Sequence, residues 1–71
     1  MSSIFNDKRE FEGIFRRHYA PLVGYANKMV GNIDEAADIV QSLFVSIWDK
    51  RDSIIVDGSM QSYLLRSTHN R

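Results

Sequence analysis

Residues 33–49 read IDEAADIVQSLFVSIWD and carry a strong helical pattern. Apolar side chains recur there in steps of three and four, which is the spacing of one face of an α-helix. The predicted core stripe of this helix consists of Ile33, Ala36, Ala37, Val40, Leu43, Phe44, Ile47 and Trp48. The preceding Gly31-Asn32 predicts a helix end followed by a helix start, with Asn32 as the N-cap and Asp34 as its rival.

The residues before this stretch predict a longer amphipathic helix, from about Asp7 to Val30. Its apolar side consists of Phe11, Ile14, Phe15, His18, Tyr19, Leu22, Ala26, Met29 and Val30. Asn6 or Asp7 can cap its start. Pro21 removes one backbone donor and crowds the preceding turn, so we expect a kink or a break near Ala20.

Residues 50–58 lack a helical period and predict a loop. Within it, Ile54-Ile55-Val56 is expected to fold back over the core, with a short strand as the alternative. Ser59 predicts the cap of a last helix. Its inner face is expected to hold Met60, Tyr63, Leu64 and either Ser67 or Thr68. The predicted fold class is all-α, a small bundle of three helices, or four if the first one breaks at Pro21.

Length and composition restrict the function. The chain has 71 residues, no cysteine, and nine basic against nine acidic residues. We expect a single domain over residues 1–71 with a flexible N-terminus at 1–6. No apolar run approaches the roughly 20 residues of a membrane span, and no signal peptide is visible, so we expect a cytoplasmic protein without direct membrane insertion.

Nothing in the sequence predicts catalysis or a cofactor. His18 and His69 lie on different predicted helices, without the spacing of metal ligands. His18 is expected to be a partly buried, hydrogen-bonded residue. The glycines are isolated, and no nucleophile motif is present. We therefore expect that the protein is not an enzyme and binds no metal.

The charges separate along the chain. The predicted helix Ile33–Asp49 contains four acids and no base, whereas residues 58–71 contain no acid. The outer face of that helix carries Asp34, Asp38, Gln41, Ser42, Val45 and Asp49. Such a row suits a basic partner helix, although an ordinary solvated face is the alternative. Arginine, asparagine and tyrosine in the basic segment suit phosphates and unstacked bases, with ordinary solvated charges again as the alternative.

The segment DEAADIVQSLFVSIW, residues 34–48, resembles region 2 of bacterial RNA polymerase sigma factors, most of all the extracytoplasmic-function group. FEGIFRRHY at 11–19 and SYLLRSTHNR at 62–71 are similar to the flanking segments of that family. The resemblance covers about residues 8–71. It implies a sigma factor domain that directs transcription initiation, docks on the clamp helices of the polymerase β′ subunit, and recognises and melts the promoter −10 element.

The resemblance also implies partners and site residues. Asp38 and Gln41 match polymerase contacts, and the predicted polymerase-binding set is Asp38, Gln41, Ser42, Val45 and Asp49. Promoter DNA, as the single strand of the −10 element, is the second partner. The predicted DNA-binding set is Lys50, Arg51, Ser59, Tyr63, Arg66, His69, Asn70 and Arg71. An anti-sigma factor is a third expected partner.

The chain also departs from the family pattern. The final part of region 2 and the region 4 domain, a helix-turn-helix that reads the −35 element, are absent, so we expect a domain truncated at its C-terminal end. The family often has arginine where His69 stands. The alternative function is a small helical protein–protein adaptor without DNA binding. A helix-turn-helix repressor fits less well, because the loop between the last two helices is too long.

Overall fold

The computed structural model describes residues 7–70, in which three α-helices and no strand occur. The helices are α1 (Lys8–Val30), α2 (Ile33–Asp49) and α3 (Met60–His69). The all-α prediction is therefore confirmed, and α2 has the predicted bounds. The alternative of a short strand at 54–56 is wrong, because this segment has no strand partner among the described residues.

α1 begins after Asp7, whose Oδ1 accepts a hydrogen bond of 2.8 Å from the backbone N–H of Arg9. The helix continues through Pro21 without interruption. The break considered near Ala20 is therefore wrong, while a kink stays a prediction. The three buried residues of α1 all come soon after Pro21: Leu22, Val23 and Ala26. They share the core with residues of α2, and this packing stabilises the helix beyond the proline.

Capping fixes the turn between α1 and α2. Gly31 adopts a left-handed conformation with φ of 70°, which favours glycine, and its N–H donates to the carbonyl of Asn27 at 2.8 Å. Asn32 Oδ1 accepts from the N–H of Glu35 at 2.9 Å. Asn32 rather than Asp34 is thus the cap of α2. Asn6, the other candidate cap of α1, lies outside the described residues.

The core lies mainly between α1 and α2, with α3 closing one side. Its buried apolar residues are Leu22, Val23, Ala26, Ala36, Val40, Leu43, Phe44, Ile47 and Leu64. Met29 and Ile33, which the periodicity assigned to the core, are 40% and 57% exposed. Both flank the α1–α2 turn, where the helices end and no third element covers them.

The loop and α3 complete the core. Ile54 and Val56 pack against it, as predicted, but Ile55 between them is 87% exposed because alternate residues of an extended segment point to opposite sides. In α3, Thr68 rather than Ser67 is buried. Its Oγ1 donates to the carbonyl of Leu64 at 2.8 Å, which satisfies the buried hydroxyl.

Candidate functional site

The outward side of α2 carries the predicted polymerase-binding residues. We define the acidic face as the row Asp34, Asp38, Gln41, Ser42, Val45 and Asp49. All of these residues are exposed, because steps of three and four place them opposite the buried stripe. Val45 is the apolar member of this otherwise polar row, and its side chain is 61% exposed. The structure therefore brings the predicted polymerase-binding residues together on one surface.

Gln41 is held in place by α1. Its Nε2 donates to the hydroxyl of Tyr19 at 3.3 Å, and the ring of Tyr19 lies 5.0 Å from that of Phe15. Sequence reasoning assigned Tyr19 to the core stripe and missed this contact. The only signal was that tyrosine carries a polar group at the end of an apolar ring, and that group usually finds a partner.

An open apolar groove runs beside the acidic face, between α1 and α2. This aromatic groove, with a volume of about 360 Å³, is lined by Phe11, Phe15, Gln41, Phe44, Val45 and Trp48. The rings pack edge to face or tilted, with centroids 4.9 Å apart for Phe11–Trp48 and 5.0 Å for Phe15–Phe44. Phe44 is buried as predicted, but Phe11, Phe15 and Trp48 remain half-buried. Periodicity assigns all of these rings to the core and does not predict a groove.

The second candidate surface is formed by α3 and the residues that flank it, 58–70, which we call the basic end. Arg66, His69 and Asn70 are exposed there, while Tyr63 is half-buried and packs on the core. The imidazole Nδ1 of His69 lies 3.4 Å from the hydroxyl of Tyr25, within hydrogen-bonding distance, so the last turn of α3 touches α1. The structure places these predicted DNA-binding residues along one helix and its end.

A groove separates the loop from α3. This loop groove, of about 380 Å³, is lined by Ile55, Asp57, Tyr63, Arg66, Ser67 and Asn70. Three of the predicted DNA-binding residues thus surround a single depression. Ile55 and Asp57 were not predicted as site residues. An apolar side chain, an aromatic ring, a guanidinium and an amide around one depression can together contact the ring, the edge and the phosphate of a nucleotide.

Arg51 makes two contacts with the end of α2. Its Nη1 donates to the carbonyl of Trp48 at 2.7 Å, and its guanidinium carbon lies 4.1 Å from the centroid of the Trp48 ring. The first contact satisfies a carbonyl of the last turn, and the second is a cation–π interaction. Arg51 was predicted to bind DNA, but its side chain already has partners within the domain.

The remaining predicted DNA-binding residues differ in their surroundings. The hydroxyl of Ser59 caps α3 by accepting from the N–H of Ser62 at 3.1 Å, and donates to the hydroxyl of Ser62 at 2.9 Å. Lys50, the C-cap residue of α2, is exposed. Arg71 lies outside the described residues. Lys50 is thus available for an external contact, whereas Ser59 has a structural role.

The acidic face and the basic end meet at one place. A groove of about 450 Å³ is lined by Glu35, Asp38, Ile39 and Ser42 of α2 and by Asn70 after α3. In the sequence, the residues of these two surfaces belong to separate segments of the chain. In the folded domain, Asn70 lies beside two carboxylates that repel phosphate.

Residues 7–70 contain no group of three or more side chains that could hold a metal ion. His18, half-buried on α1, is not part of one. Within the same range no helix is long and apolar enough to cross a membrane.

The chain matches the model of a known protein family. The family model of sigma-70 region 2 matches residues 14–71, which is most of the chain. The match includes α2, the loop, α3 and most of α1. Neither the curated proteins nor the solved structures returned a match.

Proposed function

The chain belongs to the sigma-70 region 2 family and is a sigma factor domain that acts in promoter recognition by RNA polymerase; we propose that it docks on the polymerase with α2 and melts the −10 element with α3. The observation that carries this proposal is the presence of two surfaces of unlike charge on one small domain, the acidic face on α2 and the basic end at α3. Each surface complements a partner of opposite charge.

The acidic face supports the docking half of the proposal. The residues that the family resemblance assigns to the polymerase, Asp38 and Gln41, are exposed and border one groove of about 520 Å³ along α2. A basic helix such as those of the β′ clamp would place its lysines or arginines beside these acids. Charge complementarity of this kind raises the association rate and fixes orientation.

Docking is tested with a synthetic coiled-coil peptide of the β′ clamp helices. We expect the double variant Asp38→Ala, Gln41→Ala to bind at least about tenfold more weakly than the parent chain. The matched control is Glu12→Ala, Gln61→Ala, which likewise removes one carboxylate and one glutamine from exposed positions elsewhere. Equal affinities of the two double variants would show that α2 is not the docking surface.

The basic end supports the melting half. Opening a duplex costs roughly 1–2 kcal/mol per base-pair step, so a protein that melts DNA must bind the freed strand. The loop groove offers Tyr63 and Ile55 for contact with an unstacked base, and Arg66 for its phosphate. Stacking on an aromatic side chain contributes about 1–3 kcal/mol per base, which is enough to offset the opening of a step.

Binding of a single-stranded −10 oligonucleotide tests this half. Arg66→Ala should weaken binding and reduce its salt dependence, because one phosphate contact is lost. Arg16→Ala, which removes an exposed arginine of α1, should leave binding unchanged. If the oligonucleotide does not bind, the protein is better described as the adaptor without DNA binding. Equal binding to both variants would show that Arg66 is not a DNA contact.

Finer assignments belong to the same proposal. We place the domain in the extracytoplasmic-function group because of the pattern at 34–48, and expect a region 4 domain and an anti-sigma factor in the complete system. Lys50 and the C-terminal Arg71 are further proposed DNA contacts. Sequencing the full gene would test the domain assignment, since the proposal requires a second helical domain with a basic recognition helix.

A further inference from the structure

The docking proposal uses Gln41 and Val45 at the edge of the aromatic groove but none of its aromatic rings. Three of its rings, Phe11, Phe15 and Trp48, remain half-buried although other apolar residues of the same helices are fully enclosed. The groove has a volume of about 360 Å³, near the lower end for small-molecule pockets, and suits one or two apolar side chains.

The groove is continuous with the acidic face. Gln41 and Val45 line the aromatic groove and also the groove along α2 that contains Asp38. Val45 is 61% exposed at this boundary. Any helix that lies along the acidic face therefore passes the open side of the aromatic groove.

We infer that the aromatic groove takes an apolar side chain of the basic helix that docks on the acidic face. The partner is thus a helix that presents one large apolar residue flanked by lysine or arginine. This inference rests on the docking proposal and extends the polymerase-binding surface from α2 onto α1 through Phe11 and Phe15. The apolar contact excludes water at the centre, while the acidic residues form the polar rim, an arrangement common in protein interfaces.

The chain carries its own reporter for this contact. Trp48 is the only tryptophan, and it lines the groove. We expect the β′ clamp peptide to shift the fluorescence maximum of Trp48 to shorter wavelength as it excludes water from the ring. The shift should saturate with the same midpoint as binding measured by calorimetry. Binding without any shift would overturn the inference.

Val45→Glu supplies the decisive variant. The added charge makes the acidic face more attractive for a basic helix, so electrostatics alone predicts equal or tighter binding. Loss of an apolar groove contact predicts binding at least about tenfold weaker and no fluorescence shift. The control is Ile33→Glu, which changes another exposed apolar residue of the same helix, 57% exposed and outside the groove. Equal affinities of the two variants would overturn the inference.

Failure of the inference is separable from failure of the docking proposal. Asp38 borders the acidic groove but not the aromatic one. If Asp38→Ala weakens peptide binding and Val45→Glu does not, the docking surface stands and the aromatic groove is not part of it. If neither variant weakens binding, both proposals are wrong.

Two other occupants of the groove have their own signatures. If residues 1–6 filled it in place of the partner, their deletion would shift free Trp48 emission to longer wavelength and leave the affinity for the peptide unchanged. If a second copy filled it, the emission would depend on protein concentration without any peptide. Either result would overturn the inference, whereas it predicts that both treatments leave the emission of the free chain unchanged.

Discussion

Replacing Arg51 by alanine should destabilise the domain, because this side chain joins the loop to the end of α2. The guanidinium donates to the carbonyl of Trp48 at 2.7 Å and stacks 4.1 Å from the centroid of its ring. α2 has no basic residue in its last turn to interact with its negative end, so the contact from the following loop takes that place. Because Arg51 is half-buried, water can replace its contacts only in part when the side chain is removed.

The magnitude follows from the two contacts. A cation–π interaction contributes about 0.5–1 kcal/mol at exposed sites and about 2 kcal/mol when desolvated. A hydrogen bond from a charged donor adds a net of about 1.5–3 kcal/mol, less where water can replace the donor. Because Arg51 is only half-buried, solvent weakens both contacts, and we expect Arg51→Ala to lower the free energy of unfolding by about 1–2 kcal/mol, below the sum of the two ranges. For a domain of this size that corresponds to a melting temperature lower by about 5–15 °C.

The assay is urea denaturation monitored by circular dichroism and by Trp48 emission, with Lys50→Ala as the control. Lys50 is the neighbouring basic residue, is exposed, and its removal changes the net charge equally. Arg51→Lys should recover less than half of the loss, since an ammonium lacks the planar stacking of a guanidinium. Equal stability of Arg51→Ala and Lys50→Ala would refute the reasoning. Loss of DNA binding at unchanged stability would instead make Arg51 a DNA contact.

Two further stability predictions follow from burial and capping. Leu64→Ala leaves a cavity at a fully buried site of α3 and should lower the free energy of unfolding by about 2–5 kcal/mol. Urea denaturation measures this loss, and a value below about 1 kcal/mol would contradict the observed packing. Asn32→Ala should lower the free energy of unfolding by about 1 kcal/mol because the N-cap of α2 is lost, and Asp34→Ala should lower it less. Thermal melts that rank the two variants in the opposite order would indicate that Asp34 is the N-cap.

The helices could be predicted from the sequence because their signals are local. The Gly31-Asn32 pair and the stripe of α2 predicted its start, end and buried side. The structure confirms them apart from Ile33, which is exposed, and Ala37 and Trp48, which are half-buried. Pro21 shows where local signals are insufficient. Its effect depends on the packing of the residues that follow, so the continuous α1 is decided by tertiary contacts rather than by propensity.

The candidate surfaces were less predictable, since they depend on how elements meet. Helical spacing alone was enough to place the acidic face. The partners of Gln41 and Arg51 were not predictable, because Tyr19 belongs to another helix and the Trp48 contact depends on the path of the loop. The position of Asp57 was not predictable either: the sequence places it in the predicted loop 50–58, and only the fold brings it to the loop groove.

Net neutrality of the chain is compatible with the proposed DNA binding, because the charges are separated on the folded domain. At 0.1 M salt, charges act over roughly 10 Å, so a partner responds to the surface it approaches rather than to the sum over the molecule. Asn70 marks the boundary, as it borders both the loop groove and the groove with Glu35 and Asp38. A cation there would pair with the carboxylates, whereas a neutral amide stays available. We therefore expect Asn70 to contact a base edge, for which an amide supplies both a donor and an acceptor, while Arg66 holds the phosphate.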